Sequence, residues 1–254
     1  MVRPWSAVPA VALLALMACQ APTPSAATLT IGGSNGMAPL AEAVGLVFAS
    51  SRPGLSVVVK GGNAASGLLA LRQREIDVAL VDSPVTDTDL RVVKIGDEAI
   101  AVIVHPSNIV SSASVNLLGQ VFAGRIRDWS ETGGKTGPVT LLTREDGDGA
   151  RSVLEKALLQ GRPVGSIAII TPSDDLMIAR VSTDASAIGY VSTRFLSPAV
   201  KALKIEGDDP TIGTQYPLVR PLYLVTRQDS QRLAEDFVRF AVSDAGRAIT
   251  GGTR

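Results

Sequence analysis

TLTIGGSNGMAPLAEAVGLVFAS, residues Thr28 to Ser50, joins three local signals in one short stretch. Thr28–Ile31 alternates β-branched and apolar residues and reads as a strand. Ala38–Ser50 carries Leu40, Val44, Val47 and Phe48 at helical spacing. Between them lies Gly33-Ser34-Asn35-Gly36, a small-residue loop that runs directly into the helix. A strand feeding through glycine into a helix is the opening of a β–α unit, which buries its sheet under helices.

The same alternation continues outward from this stretch. Strands are predicted at Leu55–Val59, Asp77–Val81, Ala99–Val104, Val139–Thr143, Ile167–Ile170, Ile188–Val191 and Leu218–Val225. Helices are predicted at Ser66–Arg74, Val115–Ala123, Ala150–Leu159, Asp174–Val181 and Ser230–Val242. The class is α/β with largely parallel sheets. Ala99–Val104 and Leu218–Val225 are apolar strands on either side of a central block. If both cross between two lobes, the chain leaves the first lobe once, returns once, and encloses a cleft with a two-strand hinge. The pattern also permits a single continuous sheet.

Composition narrows the functions. The chain has 254 residues, 46% of them hydrophobic and 19% charged, so it has material for a core and is not a disordered sequence. With 24 basic and 24 acidic residues it offers no global field for nucleic acid. One cysteine and one histidine leave no internal disulfide, no Cys/His zinc site and no Cys/His dyad. No G-x-S-x-G elbow accompanies a candidate base, so a hydrolase is disfavoured, and neither cofactor nor metal is expected.

Three segments share the design of the opening loop: Gly33–Gly36, Gly61–Gly67 (GGNAASG) and Arg144–Ala150 (REDGDGA). Glycine allows a ligand to approach the backbone, and each helix start presents unpaired N–H groups with a positive partial charge. Several such starts aimed at one spot form an anion site without net positive charge. Arg144 adds a two-pronged contact for an oxyanion.

These motifs identify a family resemblance. Gly33–Leu40 (GSNGMAPL) resembles the GSTT-x-APL opening of the periplasmic phosphate-binding proteins (PstS-like) of ABC transporters. Lys60–Gly67 resembles their QGGGSGTG loop, and Asp77–Pro84 (DVALVDSP) the strand that brings an aspartate to the ligand. Ala101–Asn108 (AVIVHPSN) resembles their hinge region. Leu117–Gly134 (LLGQVFAGRIRDWSETGG) is close to L-x-x-I-F-x-G-K-I-x-x-W-x-x-x-GG. Arg144–Arg151 resembles RE-x-GSGTR, and Ala187–Val191 (AIGYV) the late AIGYV signature. The resemblance covers Thr28–Arg254 in order. It implies a type II periplasmic-binding-protein fold, with residues 28–104 plus 218–254 in one lobe and 105–217 in the other. It further implies a monomeric receptor that hands inorganic phosphate to a membrane permease.

Residue by residue, the resemblance places Ser34, Asn35 and Gly36 in the first binding loop, and Ala64 where the second loop has a ligand serine, with Ser66 nearby as a substitute hydroxyl. Asp82 falls on the aspartate that accepts a hydrogen bond from protonated phosphate. Arg144 falls on the arginine that grips the anion, and Asp146 on a carboxylate that orients that arginine. Gly147 and Gly149 keep the loop's backbone pattern. Asp148 and Ala150 replace the serine and threonine of GSGT, so Asp148 faces the anion, turns to Arg151 or caps its helix. These departures keep open a receptor for another oxyanion or small organic anion, and a regulatory or interaction lipoprotein without tight binding.

Ahead of the folded part, Arg3 precedes an apolar run, Ala7–Met17, too short to span a bilayer. Leu16-Met17-Ala18-Cys19 resembles a bacterial lipobox, which predicts residues 1–18 as a signal peptide and Cys19 as the lipidated residue. Residues 19–27 then form a tether, and the folded part is held to a membrane outside the cytoplasm by its lipid alone. Elsewhere, Trp129 reads as a packing anchor and His105 as a solvated or packed side chain. Asp174-Asp175 and Thr86–Asp89 read as helix-capping clusters, and Arg125, Arg127 and Arg151 as surface charges.

Overall fold

The computed structural model describes residues 27–251; the lipobox and Cys19 lie outside them. The first half of the chain forms β1 (Ala27–Gly33), α1 (Ala38–Ser50), β2 (Leu55–Lys60), α2 (Ala64–Arg72), β3 (Val78–Val81), β4 (Leu90–Val104), β5 (Ser112–Ala113) and α3 (Val115–Phe122). There follow β6 (Thr140–Thr143), α4 (Gly149–Leu159), β7 (Ile169–Ile170), α5 (Asp174–Thr183), β8 (Ala187–Ser192), β9 (Lys201–Ala202) and β10 (Lys204–Ile205). The chain closes with β11 (Val219–Arg227), α6 (Arg232–Ala241) and α7 (Asp244–Thr250).

The main sheet runs β2-β1-β3-β11-β4-β8-β6-β7, with β9 alongside β4, while β5 and β10 form a separate pair. β1 is parallel to β2 and β3, and β6 is parallel to β7 and β8. β11 is antiparallel to β3 and β4, and β4 is antiparallel to β8 and β9. The sheet is therefore mixed, which corrects the expectation of largely parallel pairing. The cause is the route of the chain, because a strand that carries it out and a neighbour that carries it back must run in opposite directions.

β4 is the strand that joins the two lobes. It pairs with β11 from Leu90 to Ala99 and with β8 from Ile100 to Val104. Beside the switch, the Ile100 N–H donates to the carbonyl of Leu218, one residue before β11 begins. Only Ala99–Val104 was legible as strand because Arg91, Lys94, Asp97 and Glu98 break the apolar run upstream.

Each lobe is a sheet covered on both faces, which is why its central strands are apolar throughout. In the first lobe, Leu29, Ile31, Val78 and Leu80 pack under α1 and α6, where Phe48 and Phe237 meet edge to face at 5.3 Å. Leu71, Ile76, Ala79 and Val81 fill the opposite face. In the second lobe, Ile100, Val102 and Val104 of β4 face Phe122, Trp129 and Leu154, while Ala101 and Ile103 face Met177 and Val181. This is the alternation of a strand buried on both sides.

Two capping expectations change. Ser173, not the aspartates that follow it, caps α5: its Oγ accepts from the N–H of Leu176, and Asp174 and Asp175 fill the first turn. Asp87 caps no helix; it accepts from the Asp89 N–H in the turn before β4 and pairs with Arg72. The helix predicted at Ser230–Val242 forms as α6, and beyond it Ser243 starts a further, unpredicted helix by accepting from the Gly246 N–H.

Candidate functional site

The three glycine-bearing loops converge because each follows the carboxyl end of a strand, the edge where open α/β sheets place ligands. Gly33 ends β1 at a φ of 130°, and a Cβ there would lie 2.3 Å from the carbonyl oxygen of Leu80, so only glycine lets β1 run this close to β3. Ser34 and Asp82 follow those neighbouring strands. Both are buried, and the Ser34 Oγ donates to Asp82 Oδ2 at 2.5 Å.

Asn35 and Gly36 have structural partners. Asn35 Oδ1 accepts from the Gly62 N–H at 2.8 Å and its own N–H donates to the Gly62 carbonyl, which ties the first loop to the second. A Cβ on Gly36 would come within 2.7 Å of Arg220 Nη2, so this glycine makes room for a guanidinium. In the second loop, Asn63 and Ser66 form a reciprocal capping box at the start of α2. Ser66 Oγ also donates to the Asn63 carbonyl, so the hydroxyl expected to replace the missing serine is already committed. Ala64 packs against the apolar cluster around Leu71 and Ile76.

The third loop differs from expectation in one respect. Arg144 is buried, and both its Nε and Nη2 reach Asp148 Oδ2 at 3.2 Å. Asp148 Oδ1 accepts from the N–H groups of Ala150 and Arg151 at 2.9 and 3.1 Å, so this carboxylate also caps α4. Asp146, expected to orient Arg144, has a side chain 94% exposed and lies 3.9 Å from Arg151. Asp148 has taken its place. An aspartate at an N-cap gains two backbone donors, whereas an exposed loop carboxylate gains none. Gly149 brings the lobes together: a Cβ there would stand 2.0 Å from Asp82 Oδ2.

Behind these loops lies a network that sequence reading missed. Arg220 of β11, 1% exposed, donates through Nη1 to Asp82 Oδ2 at 2.5 Å and through Nε and Nη2 to Glu98 Oε2 at 2.9 and 2.5 Å. Glu98 Oε1 accepts from Ser192 Oγ and from Arg194 Nε, and Arg194 reaches on to the Thr250 carbonyl. Burial alone would raise the Glu98 pKa, but Arg220, Ser192 and Arg194 outweigh it and hold the carboxyl below its ordinary range. Burial pushes Asp174 the other way, up, against a partial offset from Arg144. The available signal for this network was a charge set among buried positions on each of two strands, Glu98 on β4 and Arg220 on β11.

Two polar atoms of the cleft are buried without a partner among the described residues, Asp82 Oδ1 and Arg144 Nη1. One is an acceptor and the other a donor, and buried groups of this kind are rarely left open. The cleft keeps a pocket of about 130 Å³ lined by Asn35, Asn63, Ser66 and Asp146 and by Ser34 and Asp148, the hydrogen-bond partners of Asp82 and Arg144. A larger hollow, of about 350 Å³, lies by Trp129 and Lys135. It sits at the amino ends of β6 and β8, the wrong edge of the sheet for the loops just described. Trp129 is the packing anchor expected, buried and donating its Nε1 to the Ser186 carbonyl.

Comparison with known proteins gives the arrangement its context. A family model described as PBP superfamily domain matches residues 18–245. The phosphate-binding protein PstS of Bacillus subtilis is 27% identical over 228 residues, 85% of this chain and 76% of that protein. A Clostridium perfringens structure with bound phosphate, described as a candidate phosphate ABC transporter substrate-binding protein, superposes with a TM-score of 0.82 at 24% identity, covering 88% of this chain and 96% of that one. An ABC-type phosphate transport receptor from Vibrio cholerae gives 0.72 at 22% identity, covering 89% and 97%. The two-lobed type II binding-protein fold is shared with these two structures, and the chain belongs to the PBP superfamily domain family.

Proposed function

We propose that the chain is an extracytoplasmic receptor that captures inorganic phosphate between its lobes and delivers it to an ABC-type importer. The observation that carries this reading is the unpaired couple in the cleft, Asp82 Oδ1 and Arg144 Nη1. A ligand that satisfies both must accept from a guanidinium and donate to a carboxylate. A protonated oxyanion does so; sulfate, with no proton to give, leaves the acceptor open at a cost of about 1–3 kcal/mol. The relatives named as phosphate-binding proteins support the same ligand.

The mechanism is capture by closure, with no covalent step. Ser34 and Asp82 belong to the first lobe; Arg144, Asp148, Gly149 and Ala150 belong to the second. Asn35, Gly36, Ala64 and Ser66 shape the first-lobe wall, and Asp146 the pocket mouth. The switch in β4 pairing supports lobes divided at Ala99/Ile100 and at Leu218/Val219, with the outward crossing five residues ahead of the 104/105 boundary expected from sequence. Cys19 is the proposed lipid attachment, with residues 1–18 as the removed signal, and the receptor works as a monomer. Among the described residues, no helix is long and apolar enough to cross a membrane.

Calorimetric titration of the full-length chain with phosphate, against sulfate and after removal of endogenous anion, tests the reading. Phosphate-selective binding at micromolar or tighter Kd is the expected result. Absence of both heat and thermal shift with phosphate would refute it and favour another anion or a non-transport role.

A further inference from the structure

Asp148 stands where an anion receptor has most use for free donors. Its carboxylate accepts four hydrogen bonds, two from the start of α4 and two from Arg144. A carboxylate offers about four lone-pair sites, so this one is saturated. It therefore acts as a resident anion, held on the helix terminus and on one side of the guanidinium that an incoming oxyanion would otherwise occupy.

Arg144 and the α4 terminus partner that charge, and in doing so they spend donors that an anion would use. Asp82, just past β3, abuts Gly149, and Asp174 on α5 and Tyr190 on β8 both sense Asp148. Arg220 on β11 faces the same group but is already held by Asp82 and Glu98. Arg151, next along α4, turns its Nε to Glu155. On its own loop, Glu145 and Asp146 line the pocket with Asp148, and no Lys or Arg lines it among the described residues. Buried at this centre are Arg144 and Arg220 with Asp82, Glu98 and Asp174; the nearly buried Asp148 and Glu155 join the acids, and Arg151 and Arg194 join the cations, giving five carboxylates to four guanidinium groups. Carboxylates thus already outnumber cations before any ligand arrives, and Asp82 Oδ1 still awaits a hydrogen.

We infer that Asp148 is a specificity-determining residue that restricts the cleft to a singly charged oxyanion, so that dihydrogen phosphate binds and hydrogen phosphate is excluded. The inference rests on the phosphate reading above. Each further negative charge on the ligand meets the resident carboxylate at short range, whereas the neutral hydroxyl of a serine at this position would leave Arg144 and the α4 terminus free for a dianion.

The test is phosphate titration at pH values on both sides of its second ionisation, with the full-length chain and with Asp148→Ser and Asp148→Asn. The asparagine variant keeps an N-cap side chain and so protects the fold. Above that ionisation the wild type should lose about tenfold in apparent affinity per pH unit, as the singly charged form disappears. Both variants should bind more tightly and vary by less than about threefold over the same range. A wild-type affinity independent of pH, or an equal slope in all three proteins, overturns the role of Asp148 while leaving phosphate capture intact. Failure of all three folded proteins to bind phosphate at any pH overturns the phosphate reading, and this inference with it.

Discussion

Gly149→Ala should block closure of the cleft while sparing the fold. The added Cβ would lie 2.0 Å from Asp82 Oδ2, 2.1 Å from its Cγ and 2.4 Å from Oδ1, more than 1 Å inside ordinary contact. Asp82 has no room to retreat, because Ser34 and Arg220 each hold Oδ2 at 2.5 Å and Arg220 is itself held by Glu98. Gly149 is equally fixed, since it starts α4 and the buried Leu154, Leu158 and Leu159 anchor that helix. The movable coordinate is the separation of the lobes. Forcing a methyl into a filled space costs about 1–3 kcal/mol, which corresponds to phosphate binding roughly 5- to 150-fold weaker. An open, unliganded form has no such clash, and alanine in a helix is favoured over glycine by about 0.5–1 kcal/mol, so thermal stability without ligand should hold or rise. Calorimetry gives the affinity, scanning calorimetry the ligand-free Tm, and solution scattering the phosphate-induced compaction, which should disappear. Unchanged affinity with normal compaction would refute the reasoning. A ligand-free Tm that falls in step with affinity would also refute it, by showing that Gly149 and Asp82 meet as permanent core.

Arg144→Ala should remove phosphate binding to below calorimetric detection, because it deletes the open donor and also takes two of the four donors from Asp148; residual binding within about tenfold of wild type would place the anion elsewhere. Arg220→Met should destabilise the protein by about 3–5 kcal/mol, since Asp82 is left buried without its cation and Glu98 keeps only Arg194, and at roughly 2–4 °C per kcal/mol the Tm should fall by about 6–20 °C. Stability should also depend on acid through Glu98. Its folded pKa lies below the unfolded one, so its contribution is complete above the ordinary glutamate range and is lost as pH falls through the folded value. Urea midpoints followed into acid should show a steep decline for the wild type and a shallower one for Glu98→Gln; identical slopes would remove Glu98 from the account.

The fold was legible to the extent that burial is periodic. α1 begins and ends where its apolar spacing predicts, and β3, β6 and β8 are displaced by one residue at most. β4 was read nine residues short because Arg91, Lys94, Asp97 and Glu98 interrupt the apolar positions of its first-lobe half, whose pairing partners local sequence cannot supply. Strand direction was misjudged for a similar reason. Alternation of strands and helices favours parallel neighbours, but β4 and β11 are a crossing pair whose orientation is set by a return that comes more than a hundred residues later.

The site shows a sharper limit. Every one of its loops uses small polar residues next to helix starts, and those residues can bind a ligand or cap their own helix with the same atoms. Ser66, Asn35 and Asp148 were all candidates for the ligand, and the fold engages all three internally. What distinguishes the outcomes is supply and demand of hydrogen bonds in three dimensions. Asp148 meets four donors and is filled, whereas Asp146, two residues earlier, meets solvent. Arg220 makes the converse case: an arginine buried within a strand must be neutralised, and its partners, Asp82 and Glu98, come from just past the end of one neighbouring strand and from within the other. It holds one oxygen of Asp82 and leaves the other open, so the acceptor proposed for the ligand depends on a residue that no binding motif contains.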